Sequence, residues 1–385
     1  MISNGIDFKN FKYKIHNSKL KKILRNDFSK KNNDLLLSLS KDYKYSIKFS
    51  KINKYKKFNL FHVIGMGGSS LGAQAIYNFL SEKIKKKFLF TNNLSLKKIN
   101  KIEKKKLNII ISKSGNTLET ISNLNSQKIN KKCIFITENK NNYLKKLAHK
   151  LQSEIVYHNN FIGGRYSVLS ETGMIPAFFM GLNPNKFKQF DNLIKSKKFI
   201  NCLINNTSSL LKFHNQNKKN SIILNYDESS NDLFYWYQQL VAESLGKNSK
   251  GILPIVSSVP KDNHSVMQLY LDGFQNNFFT FFYVKENINQ KIYNSSVLNS
   301  HDYLKNKSMS DILFAQFRAT QKVFVKKNIP FRTFVIKKRD EKTLGELFTF
   351  FILETILLAK AMKINPFDQP AVELIKKETL KILKN

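Results

Sequence analysis

Cysteine is nearly missing from this chain. Cys133 and Cys202 are the only two in 385 residues, too few for a disulfide framework or a cysteine-rich metal site. No run of His, Asp and Glu has metal-ligand spacing either, so no metal site is expected. Arginine is almost as scarce: Arg25, Arg165, Arg318, Arg332 and Arg339 are all there is, and lysine supplies the rest of the 65 basic residues. Readers of nucleic acid lean on arginine for bidentate contacts, so the net charge of +38 does not point to a specific nucleic-acid partner. The lysines are spread along the chain, and runs such as Lys83-Ile84-Lys85-Lys86-Lys87 and Lys101-Ile102-Glu103-Lys104-Lys105-Lys106 read as solvated faces. A weak, salt-sensitive affinity for polyanions is what the field alone predicts. Long apolar runs are missing too. Met1-Ile2-Ser3-Asn4-Gly5-Ile6-Asp7-Phe8-Lys9 has no signal-peptide core. The greasiest stretch, Leu344 to Met362, carries Glu346, Glu354 and Lys360, so it reads as a buried helix and not a membrane span. The expectation is a soluble, cytoplasmic protein with no membrane partner.

What the chain does have is enough apolar residue, 42%, to build two cores. Short apolar runs alternate with helical patterns, which predicts an α/β fold with parallel sheets. In the first half the predicted strands are Phe61 to Ile64, Asn108 to Ile111, Cys133 to Ile136 and Ile155 to Tyr157, with helices at Leu71 to Leu80 and Leu118 to Leu124. The second half repeats the rhythm at Ile222 to Leu224, Ile252 to Val256, Phe278 to Val284 and Phe334 to Ile336. Asn183-Pro184-Asn185-Lys186 interrupts it. The expected organisation is a helical N-terminal segment 1–45, α/β units over 46–190 and 191–340, and a helical C-terminal segment 341–385.

The most informative feature is Ser112-Lys113-Ser114-Gly115-Asn116-Thr117-Leu118-Glu119-Thr120. It follows the apolar run Leu107-Asn108-Ile109-Ile110-Ile111 and leads into a helix, so hydroxyls, a lysine and free N–H groups share the positive helix end. A sugar phosphate suits that setting, although a capped strand-to-helix turn uses the same residues. Ile64-Gly65-Met66-Gly67-Gly68-Ser69-Ser70-Leu71-Gly72 is a second strand-to-helix turn, whose glycines allow close backbone approach and whose Ser69 can hydrogen-bond a ligand. Its spacing differs from a dinucleotide loop, which would place a glycine at Ser70. Two such turns at one end of a parallel sheet would face a shared crevice.

Four further segments carry chemistry. In Gly163-Gly164-Arg165-Tyr166-Ser167, Arg165 is a permanent cation on a tight turn. Glu243-Ser244-Leu245-Gly246-Lys247 closes a helix, and a carboxylate at that negative dipole end suits a general base. In Pro260-Lys261-Asp262-Asn263-His264-Ser265, Asp262 or Asn263 reads as an N-cap, placing His264 near a helix start, where neutral imidazole is favoured. Pro366-Phe367-Asp368-Gln369-Pro370-Ala371-Val372-Glu373-Leu374-Ile375-Lys376 starts a helix at Pro370, with Gln369 and Lys376 seven apart on one face. The plainer alternatives are a surface arginine, a solvated glutamate, a capping histidine and a Glu373–Lys376 surface pair.

Taken in order from about Val63 to Lys376, these motifs resemble the glucose-6-phosphate isomerase (phosphoglucose isomerase) family, most specifically in Phe367-Asp368-Gln369, Val372-Glu373 and Lys376. The resemblance implies two sugar-isomerase (SIS) α/β domains, each a parallel sheet flanked by helices, in a homodimer. It also implies interconversion of glucose 6-phosphate and fructose 6-phosphate, a step of glycolysis and gluconeogenesis, through an enediol and without metal or organic cofactor. By matching position, Ser112, Lys113, Ser114, Thr117 and Thr120 would form the phosphate loop, with Gly68 and Ser69 lining the sugar. Glu243 would move the proton between C1 and C2 and Arg165 would stabilise the enediolate. His264, from the neighbouring subunit, and Lys376 would assist ring opening, with Gln369 nearby. The chemistry agrees: a proton taken alpha to a carbonyl needs a carboxylate base and a fixed cation beside the developing charge, and arginine stays protonated throughout.

The chain departs from the family pattern at Ser70, where aspartate is frequent, at Leu245, where asparagine is frequent, and at Ala371, where glycine is usual. Ser114-Gly115-Asn116-Thr117 lacks an aromatic and a threonine seen in many members. It resembles the loop of dual-specificity phosphoglucose/phosphomannose isomerases, which leaves mannose 6-phosphate open as a substrate. Two other classes stay open: a non-catalytic sugar-phosphate-binding SIS protein, and a charge-driven polyanion binder.

Overall fold

The computed structural model describes residues 3–12, 18–28, 33–94, 106–126, 132–285 and 290–385. Ten strands follow in chain order: β1 (Ile6–Lys9), β2 (Leu60–Ile64), β3 (Lys87–Thr91), β4 (Lys106–Ile111), β5 (Cys133–Thr137), β6 (Glu154–Tyr157), β7 (Asn220–Asn225), β8 (Leu253–Ser258), β9 (Asn277–Val284) and β10 (Phe331–Ile336). They form two five-stranded sheets, ordered β3-β2-β4-β5-β6 and β1-β10-β9-β7-β8. Every pairing in the first is parallel. In the second, β7, β8, β9 and β10 are parallel. β2, β4, β5 and β9 are buried along their whole length, as strands covered by helices on both faces must be. The expected α/β architecture of two parallel sheets flanked by helices is the one found.

Two strands were not predicted. β1 lies in the segment expected to be helical and pairs antiparallel with β10, Ile6 opposite Ile336 and Phe8 opposite Phe334. Only Ile6 and Phe8 face the core there, too short a pattern to stand out in a lysine-rich stretch. β3 is the other edge strand, parallel to β2. The run Lys101 to Lys105 lies outside the described residues, while Lys106 opens β4 and is buried, so it is no part of a solvated face.

Helix Glu341–Ala361 is buried along most of its length, as its apolar content predicts, and among the described residues no helix is long and apolar enough to cross a membrane. Its Glu354 pairs with Arg332 of β10. Arg332 also donates to Thr280 Oγ1 (2.9 Å), Asn206 Oδ1 (2.9 Å) and the Tyr237 hydroxyl (3.2 Å), and Tyr237 donates to Glu354 Oε1 (2.9 Å). Both charges are fully buried, and removing one strands the other in a low dielectric. Glu354→Ala is therefore expected to destabilise the chain by ~3–5 kcal/mol, read as a lowered urea midpoint. A loss below ~1 kcal/mol would show that the network relaxes around the lone guanidinium.

The two sheets meet through helices. Helix Asn231–Leu245, after β7, packs on helix Leu71–Phe79, after β2, and helix Glu171–Phe179 packs on the latter as well. Gly72 lets the short segment that precedes helix Glu171–Phe179 come close as well, since a Cβ there would lie 2.6 Å from Val168 Cγ2. This packing brings helix Asn231–Leu245 against the turn that follows β2, where a Cβ on Gly67 would lie 2.9 Å from Gln239 Nε2.

Candidate active site

β2 and β4 are adjacent and parallel, so the turns that follow them leave the sheet at the same end. Their backbones touch: a Cβ on Gly65 would lie 2.8 Å from the Ile111 carbonyl oxygen. Gly67 has φ +54° and Gly115 φ +67°, the left-handed region where glycine is at ease. At Gly68 the requirement is space, because a Cβ would fall 2.2 Å from the Gly164 carbonyl. The first glycine turn is thereby pressed against the segment that carries Arg165.

Arg165 sits in the short 3-10 segment Gly164–Leu169 and is 2% exposed. Its guanidinium is fully engaged. Nε donates to Ser244 Oγ (2.9 Å), Nη2 to the Pro366 and Asp368 carbonyls (2.5 and 3.0 Å), and Nη1 to Gln369 Oε1 (2.6 Å). Nη1 also lies 2.9 Å from Glu243 Oε1. Glu243 occupies the last turn of helix Asn231–Leu245, as expected, but the charge that dominates its surroundings is the whole cation of Arg165 and not the partial charge of the helix end. Its second oxygen accepts from Gln239 Nε2 (3.0 Å), one turn earlier. The carboxylate is thus held from both sides, which is the preorganisation a proton-transfer group needs.

The rest of the Glu243 motif anchors the segment before the last helix. Lys247 Nζ pairs with Asp368 at 2.6 Å, and the Tyr166 hydroxyl shares Ser244 Oγ (2.7 Å) and the Pro366 carbonyl (3.1 Å). Burial pushes the Tyr166 phenol up from its ordinary pKa, with Arg165 opposing, so the group stays a neutral donor.

In the hydroxyl loop, Ser112 and Thr117 are hydrogen-bonded to each other at 2.7 Å. Thr120 is buried, and among the described residues its hydroxyl has no partner. Ser114 is exposed and accepts from Asn116 N (3.2 Å). Lys113 donates to the Asn160 carbonyl (2.7 Å) and lies 3.5 Å from Glu138. Burial pulls its ammonium below the usual lysine range, with Glu138 opposing and Arg165 adding to the pull. Ser69 stands beside Gly65 on the adjoining turn. Ser70, at the aspartate position of the family, is buried under that turn.

Two of the expected residues are elsewhere. His264 ends the 3-10 turn Lys261–His264 after β8 and is exposed. Asp262 does not cap the next helix. It accepts from Ser257 Oγ (2.9 Å) and Ser258 N (2.8 Å) and ties the turn back to β8. Lys376 projects from helix Pro370–Lys384 and pairs with Glu373 at 2.6 Å, the surface pair that was the plainer alternative. Arg165, Glu243 and Gln369 are brought together within one chain, whereas His264 and Lys376 are not.

Sequence reasoning did not single out Gln239, Ser244 or Tyr166. The signal for Gln239 was its position four before Glu243, one helical turn away on the same face.

Comparison with known proteins points the same way. The profile of the family described as phosphoglucose isomerase matches residues 46–258. The chain is 32% identical over 355 residues to a glucose-6-phosphate isomerase of Methanocaldococcus jannaschii, covering 86% of this chain and 87% of that one. Among solved structures it resembles a hypothetical protein of Thermus thermophilus, with a TM-score of 0.81 at 23% identity over 95% of this chain and 94% of the other. A glucose-6-phosphate isomerase of Chlamydia trachomatis gives a TM-score of 0.69 at 21% identity, over 97% of this chain and 76% of that one. The two structural likenesses speak to the fold.

Proposed function

Because this chain belongs to the phosphoglucose isomerase family, we infer that it interconverts glucose 6-phosphate and fructose 6-phosphate, and that Glu243 carries the proton. The observation that carries the assignment is the Glu243 carboxylate held between Arg165 and Gln239, beside the glycine turn that follows β2. Starting from the aldose, Glu243 removes the C2 proton of the open-chain sugar and the C1 carbonyl oxygen takes up the electron pair as an enediolate; the hydroxyl proton passes from O2 to O1, and Glu243 returns its proton at C1 as the C2 carbonyl forms. The Arg165 guanidinium offsets the negative charge on the enediolate oxygens. Ser112, Lys113, Ser114, Thr117 and Thr120 receive the phosphate, Gly68 and Ser69 line the sugar, and Gln369 steadies Arg165.

His264 and Lys376 enter this scheme as ring-opening groups supplied in a homodimer. Two features support that reading. β8 is the edge strand of its sheet, so the turn bearing His264 is open to a neighbour. Helix Pro370–Lys384 leaves Leu374, Ile375, Ile382 and Leu383 mostly exposed, which a partner surface would cover.

A coupled assay offering fructose 6-phosphate and mannose 6-phosphate side by side tests the assignment. Turnover of fructose 6-phosphate is the expected result, and its absence in folded protein would overturn the reading. The Ser114-Gly115-Asn116-Thr117 loop makes the second substrate worth including, since it is the feature shared with dual-specificity enzymes. Thr117→Ala is expected to raise KM for fructose 6-phosphate by roughly fivefold, the value of one hydrogen bond of ~1 kcal/mol, with kcat little changed. An unchanged KM would count against the phosphate cradle.

A further inference from the structure

Away from the Arg165–Glu243 cluster, a cavity of about 410 Å³ opens between the end of β1, the start of β10 and helix Met309–Lys326. It shares no residue with the Arg165–Glu243 cluster. Its rim carries Lys9, Lys12, Arg318 and Lys322. Among the described residues none of these four is in an ion pair, and the lining holds no carboxylate. In a folded protein a group of unpaired cations repels itself unless an anion joins it. The floor is of the opposite character, with Phe324, Val325, Ile329, Pro330 and Phe331.

One of the cations is positioned rather than free-swinging. Gln321 is buried, gives its Nε2 to Thr333 Oγ1 (2.9 Å) and offers its Oε1 to Arg318 Nη1 (3.3 Å). Thr333 is the β10 residue paired with Lys9 of β1, so a hydrogen-bonded line runs from the sheet edge to the guanidinium and leaves its other N–H groups unused. Arginine is scarce in this chain, and an arginine presented in this way is suited to a phosphate. The volume lies within the ~300–1,000 Å³ of small-molecule sites. A free sugar phosphate would leave its hydroxyls facing phenylalanine, valine and proline, whereas a flat ring with a charged tail matches both parts of the lining.

We propose that this cavity binds a nucleoside phosphate, its phosphates on Arg318, Lys322 and Lys12 and its base over the Pro330–Phe331 floor. The test is calorimetric titration of the full chain with ATP at about 0.1 M salt, where surface attraction beyond ~10 Å is screened. Saturable binding at one site is expected, undiminished by saturating glucose 6-phosphate. Arg318→Glu with Lys322→Glu, both exposed on the helix, should weaken it at least tenfold, and Lys12→Glu on the opposite wall should weaken it in the same sense. Lys146→Glu with Lys150→Glu, an equal charge change on the distant helix Tyr143–Lys150, should leave it within twofold. Displacement of ATP by glucose 6-phosphate, equal loss in the distant pair, or tripolyphosphate binding as tightly as ATP would each overturn the proposal. The first of these places ATP in the isomerase site, so it leaves the reading of Glu243 intact.

Discussion

Glu243→Gln is expected to lower turnover of fructose 6-phosphate by on the order of 10²–10⁴, the usual contribution of a positioned general base, while sugar-phosphate affinity stays close to that of the parent. The amide matches the carboxylate in size. Its oxygen can still accept from Arg165 Nη1, which lies 2.9 Å from Oε1 in the parent chain. Its new NH2 would face Gln239 Nε2, but Gln239 Oε1 is buried without a partner among the described residues, so a flip of the Gln239 amide restores a donor-acceptor pair. What is lost is the ability to take a proton. The effect should therefore fall on kcat, with ligand binding measured separately by a non-reacting sugar phosphate. Near-normal turnover in a folded Glu243→Gln protein would remove Glu243 from the base role and leave the Arg165 cluster as a binding site.

The parts of this molecule that could be read from the sequence are those whose signal is local. Ile109 to Ile111 and Ile134 to Ile136 are apolar because helices cover both faces of β4 and β5, and such runs are visible without knowing the partner. The glycines at 65, 67 and 68 mark a turn for the same reason: each answers to a contact or a dihedral angle that no larger residue meets. β1 was illegible because two apolar side chains in a four-residue element do not make a period, and β3 because it follows a lysine run and buries only Phe88. Ser244 and Tyr166 carry no distinctive signal of their own, since their importance comes from hydrogen bonds to Arg165 and to a carbonyl 200 residues along the chain. Asp262 illustrates a third kind of failure. A cap and a strand-to-turn clamp use the same side chain, and only the fold shows that Ser257 and Ser258 claim it.

Mixing two inactive variants should restore activity if His264 serves the neighbouring chain. Within one chain His264 is exposed at the end of β8, and among the described residues it makes no hydrogen bond or ion pair that would link it to Glu243. Take Glu243→Gln and His264→Ala chains, each of low activity alone, then unfold and reassemble them together. In a mixed dimer with His264 working in trans, one site collects both lesions and the other pairs an intact Glu243 with an intact His264. Random assembly makes about half the dimers mixed, each with one complete site, so activity should return to roughly a quarter of the parent value. With His264 working in its own chain, every site keeps a lesion and mixing adds nothing, whereas an idle His264 would leave the His264→Ala chain active on its own. The readout is turnover in the reassembled mixture, with mixed dimers counted by a mass tag on one variant. Mixed dimers without recovered turnover would refute the trans assignment, and a reassembled protein that remains monomeric would refute the dimer on which it depends.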